Sequence, residues 1–192
     1  MHDLAELDEL SPRVVVFACP TQQALRVIEK TSTATISPEQ RAELEDFGSQ
    51  PVITAWASFA DATWPDFRAA LVNENKVLSL LADDGSRRGD SAPVLVAHSS
   101  HEFAEKHQDA QGTAEELMRE SMKLLDVDAR PANQGQHRWG LATPTYTSNE
   151  PYWFDGHRLA ICGDEWGGQS KVETAWLSGA QLGRFVAESN FG

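Results

Sequence analysis

The chain has 192 residues, 29 Asp and Glu against 16 Lys and Arg for a formal charge of −13, and 41% hydrophobic residues. That length and apolar content suit one globular domain or two small ones and exclude a disordered tail. The negative charge argues against nucleic acid or an anionic membrane surface as a partner, because both are recognised through clustered Lys and Arg.

The opening M-H-D-L-A-E-L-D-E-L is acidic where a secretory signal is basic and then apolar, and no apolar run reaches the roughly 20 residues that span a bilayer. The expected location is cytoplasmic. Residues 13–19 read as a strand buried on both faces, ending at Pro20, and residues 21–30 as a helix with Ala24, Leu25 and Ile28 inward. Ser37, Pro38 and Gln40 form a helix start, with Ser as N-cap, Pro at the first helical position and Gln at the third, and Gly48 is the expected stop. Residues 51–59 follow as a strand. The segments 67–72 and 76–82 flank Asn73-Glu74-Asn75 and suggest a hairpin, after which 83–93 reads as a polar loop.

Strand character resumes at 94–98, and Ser99 with Glu102 reads as a capping box for a short helix to about Lys106. Thr113 with Glu116 repeats that pattern for a helix whose apolar stripe is Leu117, Met118, Ser121, Leu124 and Leu125. His98, His101 and His107 do not match a zinc-helix spacing, since the second and third lie six positions apart, off one face. No metal site is expected. Residues 136–142 and 157–162 are the last strand candidates, separated by a loop rich in Pro, Thr and aromatic residues. Cys19 and Cys162 each end an apolar run and read as buried thiols, with no disulfide expected in a reducing cytosol.

The segment 159–186, L-A-I-C-G-D-E-W-G-G-Q-S-K-V-E-T-A-W-L-S-G-A-Q-L-G-R-F-V, is the most informative stretch. An apolar strand meets a helix through an acidic, Gly-rich turn, a junction that presents amides to an anion. Ser170 and Glu173 fit a capping box there, and Val172, Ala175, Trp176, Gly179, Leu182, Gly183 and Val186 recur at helical spacing as the expected inward stripe.

L-A-I-C-G-D followed by K-V-E-T-A-W-L-S-G-A resembles the closing segment of FAD-dependent amine oxidase-like proteins, particularly the renalase-like group. V-V-V-F-A-C-P, V-A-H-S-S-H-E-F-A-E-K-H and H-R-W-G-L-A-T-P fall in the same order as in that group. The blocks correspond to the C-terminal part of such an enzyme, and the G-x-G-x-x-G fingerprint of its cofactor-binding βαβ unit is absent. The resemblance implies an α+β fold: an antiparallel-sheet substrate domain with helices over 49–144, plus a residual piece of an FAD-binding α/β domain from both chain ends, 1–48 and 145–192.

It also implies FAD as cofactor, with Gly163 and Asp164 near its ribityl-pyrophosphate part, the amides of Val172 and Glu173 at the flavin pyrimidine edge, and Lys171 supporting negative charge there. Trp139 and Tyr152, with Tyr146 and Trp153, become candidate walls for flavin or substrate, and the two cysteines lie on strands of one domain. The implied reaction is hydride transfer from a reduced nicotinamide, NAD(P)-type, or amine-type small-molecule donor to FAD and then to oxygen, with no general acid or base assigned. Completion by an N-terminal-half polypeptide, or a homo-oligomer, is the partner expectation. The alternative is a non-catalytic binding or interaction domain derived from such an enzyme, with an apolar face exposed where the other half once packed, or polar residues in its place.

Overall fold

The computed structural model describes residues 12–31, 35–109 and 111–189; the acidic opening segment lies outside them. The chain divides into two compact units, one of residues 1–49 and 143–192 and one of 50–142. The architecture is α+β, with an antiparallel sheet carrying helices.

In the first unit, β1 (Val15–Phe17) pairs in parallel with β8 (Leu159–Ile161), which pairs antiparallel with β7 (Trp153–Phe154). β1 is shorter than its apolar run predicts, and it is not buried on both faces: Val16 is 47% exposed at the edge of the three-stranded order β1-β8-β7. Helix α1 (Thr21–Lys30) buries Ala24, Leu25 and Ile28, as its periodicity requires. Helix α2 (Pro38–Glu45) starts with the full capping box of Ser37 and Gln40. It ends at Glu45 rather than at Gly48, whose role is a close approach: a Cβ there would sit 2.4 Å from the Thr145 hydroxyl. One face of the sheet packs Phe17, Leu159 and Ile161 against Leu25, Ile28, Leu44, Phe47 and Trp166. The other packs Ala160 and Cys162 against Leu182, Phe185 and Val186 of the last helix.

In the second unit the five strands run in the order β3-β4-β5-β2-β6, with β2 Ser49–Ser58, β3 Ala69–Leu71, β4 Leu78–Asp83, β5 Val94–Ser99 and β6 Asn133–Pro144. Alternation in β2 sends Ile53, Ala55 and Ala57 inward, and the β3–β4 hairpin forms as expected. The polar stretch after β4 contains a short helix, α3 (Asp84–Arg88), because Asp83 caps its start and Gly89 ends it in the left-handed conformation. Helix α4 (His101–Lys106) is capped by Ser100, one residue later than expected, since Ser99 is buried and its hydroxyl accepts from the Ile53 amide at 2.9 Å. Helix α5 (Thr113–Leu125) has Gly112 at its N-cap with no side-chain cap, so the Thr113 box does not form, and Thr113 is buried instead. Its inward stripe takes Met122 in place of Leu124, which is 50% exposed. Leu117, Met118 and Met122 cover the sheet together with Phe103 and Ala104. Both cysteines are free, and no helix among the described residues is long and apolar enough to cross a membrane.

Candidate functional site

The site begins where β8 ends. The Cys162 amide donates to the Phe17 carbonyl at 3.0 Å, completing the parallel pair, and the chain then turns away at Gly163. The Gly163 amide donates to the Ser178 hydroxyl at 3.1 Å, and Trp166 closes the turn by donating to the Gly163 carbonyl at 3.3 Å. Gly167 and Gly168 have φ of 111° and 100°, which side chains rarely adopt, and both amides converge on the Ser148 carbonyl at 2.9 and 2.8 Å.

Asp164 accepts a hydrogen bond from the Ser170 hydroxyl. The predicted capping box is therefore not formed, because a charged acceptor takes the hydroxyl that the helix amides would use. The last helix, α6 (Val172–Glu188), starts at Val172 with Lys171 as N-cap and no side-chain cap. The Lys171 ammonium pairs instead with Glu173 at 2.9 Å, an exposed contact whose hydrogen bond and charge hold the Glu173 carboxyl below its ordinary value. An exposed pair of this kind adds little stability. The start of α6 is consequently an open helix N-terminus with a lysine beside it and Val172 89% exposed.

The predicted inward stripe of α6 is displaced in its first two turns, while Leu182 and Val186 pack inward as expected. Thr174, Ser178 and Leu182 are the buried positions, while Trp176 is 68% exposed and a Cβ added at Gly179 or Gly183 would meet nothing within 4 Å. Thr174 and Ser178 tolerate burial because their hydroxyls are used, by the Gln169 carbonyl at 2.6 Å and by the Gly163 amide.

Tyr152 packs on Phe185 at 5.4 Å, near the far end of α6 from Lys171, about 20 Å along the helix axis. Trp153 lies buried on the opposite face and donates to Glu43 at 3.1 Å, and Tyr146 meets Phe47 edge-on at 5.0 Å. Gly163, Asp164, Lys171, Val172 and Glu173 are thus gathered around one turn, and Tyr152 is not among them.

Trp139 stands on β6 in the other unit, 54% exposed, its indole N–H donating to the Thr54 hydroxyl at 3.1 Å and its ring edge-on to His137 at 4.4 Å. Beside it in the sheet order, Trp56 on β2 lies over Gly135, where a Cβ would come within 2.8 Å of the indole. Trp56 is 44% exposed and was not singled out by spacing, although the alternation of residues 54–58 places it opposite the core face.

The three histidines go separate ways. Burial pushes His98 below its ordinary value, His101 Nδ1 meets the Pro51 carbonyl at 3.0 Å, and His107 Nδ1 meets the Phe103 carbonyl at 2.8 Å. No group of three or more metal-binding side chains occurs among the described residues. Two open grooves in the second unit, of about 610 and 420 Å³, are lined in part by Arg119 and Arg130 and by Phe67, Leu71 and Leu124, and contain none of the site residues.

Sequence spacing also missed Glu165, next to Asp164. It is 3% exposed, and its Oε2 accepts the amide of Thr21, the first residue of α1, at 2.6 Å. Trp166 reinforces the same joint, donating from its indole to the Thr21 hydroxyl at 3.1 Å and stacking on Phe47 at 4.6 Å. The N-terminus of α1, the natural anion position of a βα unit, is occupied by the chain's own carboxyl group.

No protein-family profile matches the sequence, and no curated protein matches it. Among solved structures similar in fold is a protein of Exiguobacterium sp. 255-15, provisionally named a protoporphyrinogen oxidase, with a TM-score of 0.63 at 13% identity. The likeness covers 92% of this chain but only 41% of that one, so this chain spans less than half the length of its neighbour. At that identity the similarity concerns the fold alone: this chain shares the architecture of part of that longer protein.

Proposed function

We propose that the chain is a portion of a flavin-dependent oxidoreductase of renalase-like type, incomplete as a catalyst until a dinucleotide-binding half is supplied. The observation that carries this reading is the open N-terminus of α6 with Lys171 beside it, in a fold that matches part of an oxidase-like structure. Unpaired first-turn amides and an ammonium suit the electron-rich edge of a flavin, so Lys171, Val172 and Glu173 fit one side of FAD. The pyrophosphate does not fit this chain alone. The amides of Gly163, Gly167 and Gly168 are bonded internally, and Glu165 holds the start of α1.

When bound, flavin supplies the two-electron acceptor for a reduced nicotinamide or amine-type donor, with oxygen as the final acceptor. The first unit's part is to hold negative charge at α6, with its turn tied by the Asp164–Ser170 bond; Trp139, in the second unit, is by itself an aromatic surface suited to a planar donor. The reading includes a cytoplasmic location and a partner polypeptide or second copy.

A second reading, a non-catalytic interaction domain with the same fold, is favoured by the apolar surface of α6. Val172, Trp176 and Leu177 are 89%, 68% and 43% exposed. An absorbance spectrum of the purified chain, taken before and after adding FAD and desalting, separates the two. Flavin retained by the chain alone refutes the non-catalytic reading and the claim that a second half is needed. Flavin retained only after a glycine-fingerprint partner is added supports the proposal, and no retention with such a partner refutes it.

A further inference from the structure

Glu165 Oε1 is a buried side-chain atom without a hydrogen-bond partner among the described residues, in a residue only 3% exposed. The other oxygen accepts from Thr21 at 2.6 Å and so joins the turn after β8 to the first residue of α1, across 144 positions of sequence. A buried carboxylate needs donors at both oxygens and Glu165 has one amide donor, at Oε2; the neutral acid leaves an unpaired O–H, a smaller burial cost than that of an under-solvated ion.

The groups that face it do not favour charge. Asp164 comes from its own turn and the Cys19 thiol from the β1–α1 turn, with Cys162 at the end of β8 standing against Cys19. The loop that holds Trp166 and Gly167 contributes the Ser148 backbone, and α1 contributes Thr21, neither of which ionises. Burial, then Asp164, push the Glu165 carboxyl above its ordinary value, against the bonds from Thr21. Burial outweighs the attraction of the helix end because a single amide row is worth at most about 2 kcal/mol, less than the several kcal/mol needed to bury an unpaired ion.

We propose that Glu165 is a proton-held latch: while uncharged it ties the Gly163–Gly168 turn to the start of α1, and on ionising it releases that turn. The geometry of the first unit carries this without any bound flavin, so it stands or falls apart from the functional reading above. Its consequence is that the turn bearing Asp164 is held in place while Glu165 keeps its proton and loosens as pH rises through the raised midpoint.

The test is a carbon-13 titration of the Glu165 carboxyl in the intact chain, with amide hydrogen exchange at Trp166, Gly167 and Gly168 over the same pH range. The expected midpoint lies above the ordinary 4.5, and exchange rises at that midpoint beyond the normal base-catalysed trend. A midpoint one unit high couples to about a tenfold increase in opening. In Glu165→Gln the extra rise disappears, since the amide keeps the Thr21 bond and cannot ionise. A midpoint at or below 4.5 overturns the proposal, as does an extra rise that persists in Glu165→Gln. Should that variant fail to fold, coincidence of the two midpoints in the unaltered chain supports the latch and their separation overturns it.

Discussion

Asp83 performs two jobs with two oxygens, and Asp83→Ala removes both at once. Oδ1 accepts the Ser86 amide at 2.8 Å as the N-cap of α3, and Oδ2 accepts the indole N–H of buried Trp64 at 2.9 Å. Losing an N-cap costs about 1 kcal/mol, and leaving a buried donor unpaired costs about 1–3 kcal/mol. The expected destabilisation of the second unit is therefore about 2–4 kcal/mol, enough to lower a urea midpoint by roughly 1 M or more. The two parts separate in a Trp64→Phe background, which keeps a ring against Phe59 but has no N–H to strand. There Asp83→Ala costs only the cap, about 1 kcal/mol. Urea titrations followed by far-ultraviolet circular dichroism on the four proteins give the coupling, with Leu117→Ala marking which transition belongs to the second unit. Equal costs of Asp83→Ala in the two backgrounds, within about 0.5 kcal/mol, refute the assignment of the indole bond as a stabilising contact.

Ser37→Ala removes one arm of the capping box at α2 and lowers stability by about 0.5–2 kcal/mol, measurable by thermal unfolding; no change means the box is ornamental. Gly135→Ala places a Cβ against the Trp56 indole, whose half-exposed ring is free to swing outward. The tryptophan emission shifts to longer wavelength while stability changes by less than about 1.5 kcal/mol, and an unchanged spectrum contradicts the seat. Burial pushes both thiols up, so Cys162, 5% exposed, reacts with a disulfide reagent at pH 8 far more slowly than free cysteine, and equal rates contradict its placement. Because the Glu165 carboxyl is raised, its contribution to stability is complete below about pH 4.5 and is lost as pH rises from there to the raised value, then stays level. Glu165→Gln removes that decline in a pH series of unfolding curves, and an identical slope in both proteins contradicts the shift.

Much of the secondary structure is legible from the residues alone, because its causes are local. The Ser37 cap with Pro38 behind it and the inward residues of α1 follow from bonds and spacings a few positions long. The alternation of β2 likewise names its core residues, and the α+β class follows from the order of such segments. What the residues could not decide is where several groups compete for one partner. Ser170 turns to Asp164 instead of capping α6, Ser99 serves Ile53 instead of α4, and each choice is made by a group that folding brings near.

The face of α6 is the clearest case. Val172, Trp176 and Gly179 read as inward by apolar spacing along with Leu182, yet Thr174 and Ser178 are buried beside Leu182 in their place, since hydroxyls that find hydrogen-bond partners are buried with little penalty. Glu165 shows the limit most sharply. Its neighbour in space, Thr21, is 144 residues away in sequence, and only the parallel pairing of β1 with β8 makes a surface-type residue into a buried one. Local chemistry is written in short spacings; burial and the partner of each charge are properties of contacts that exist only once the strands have paired.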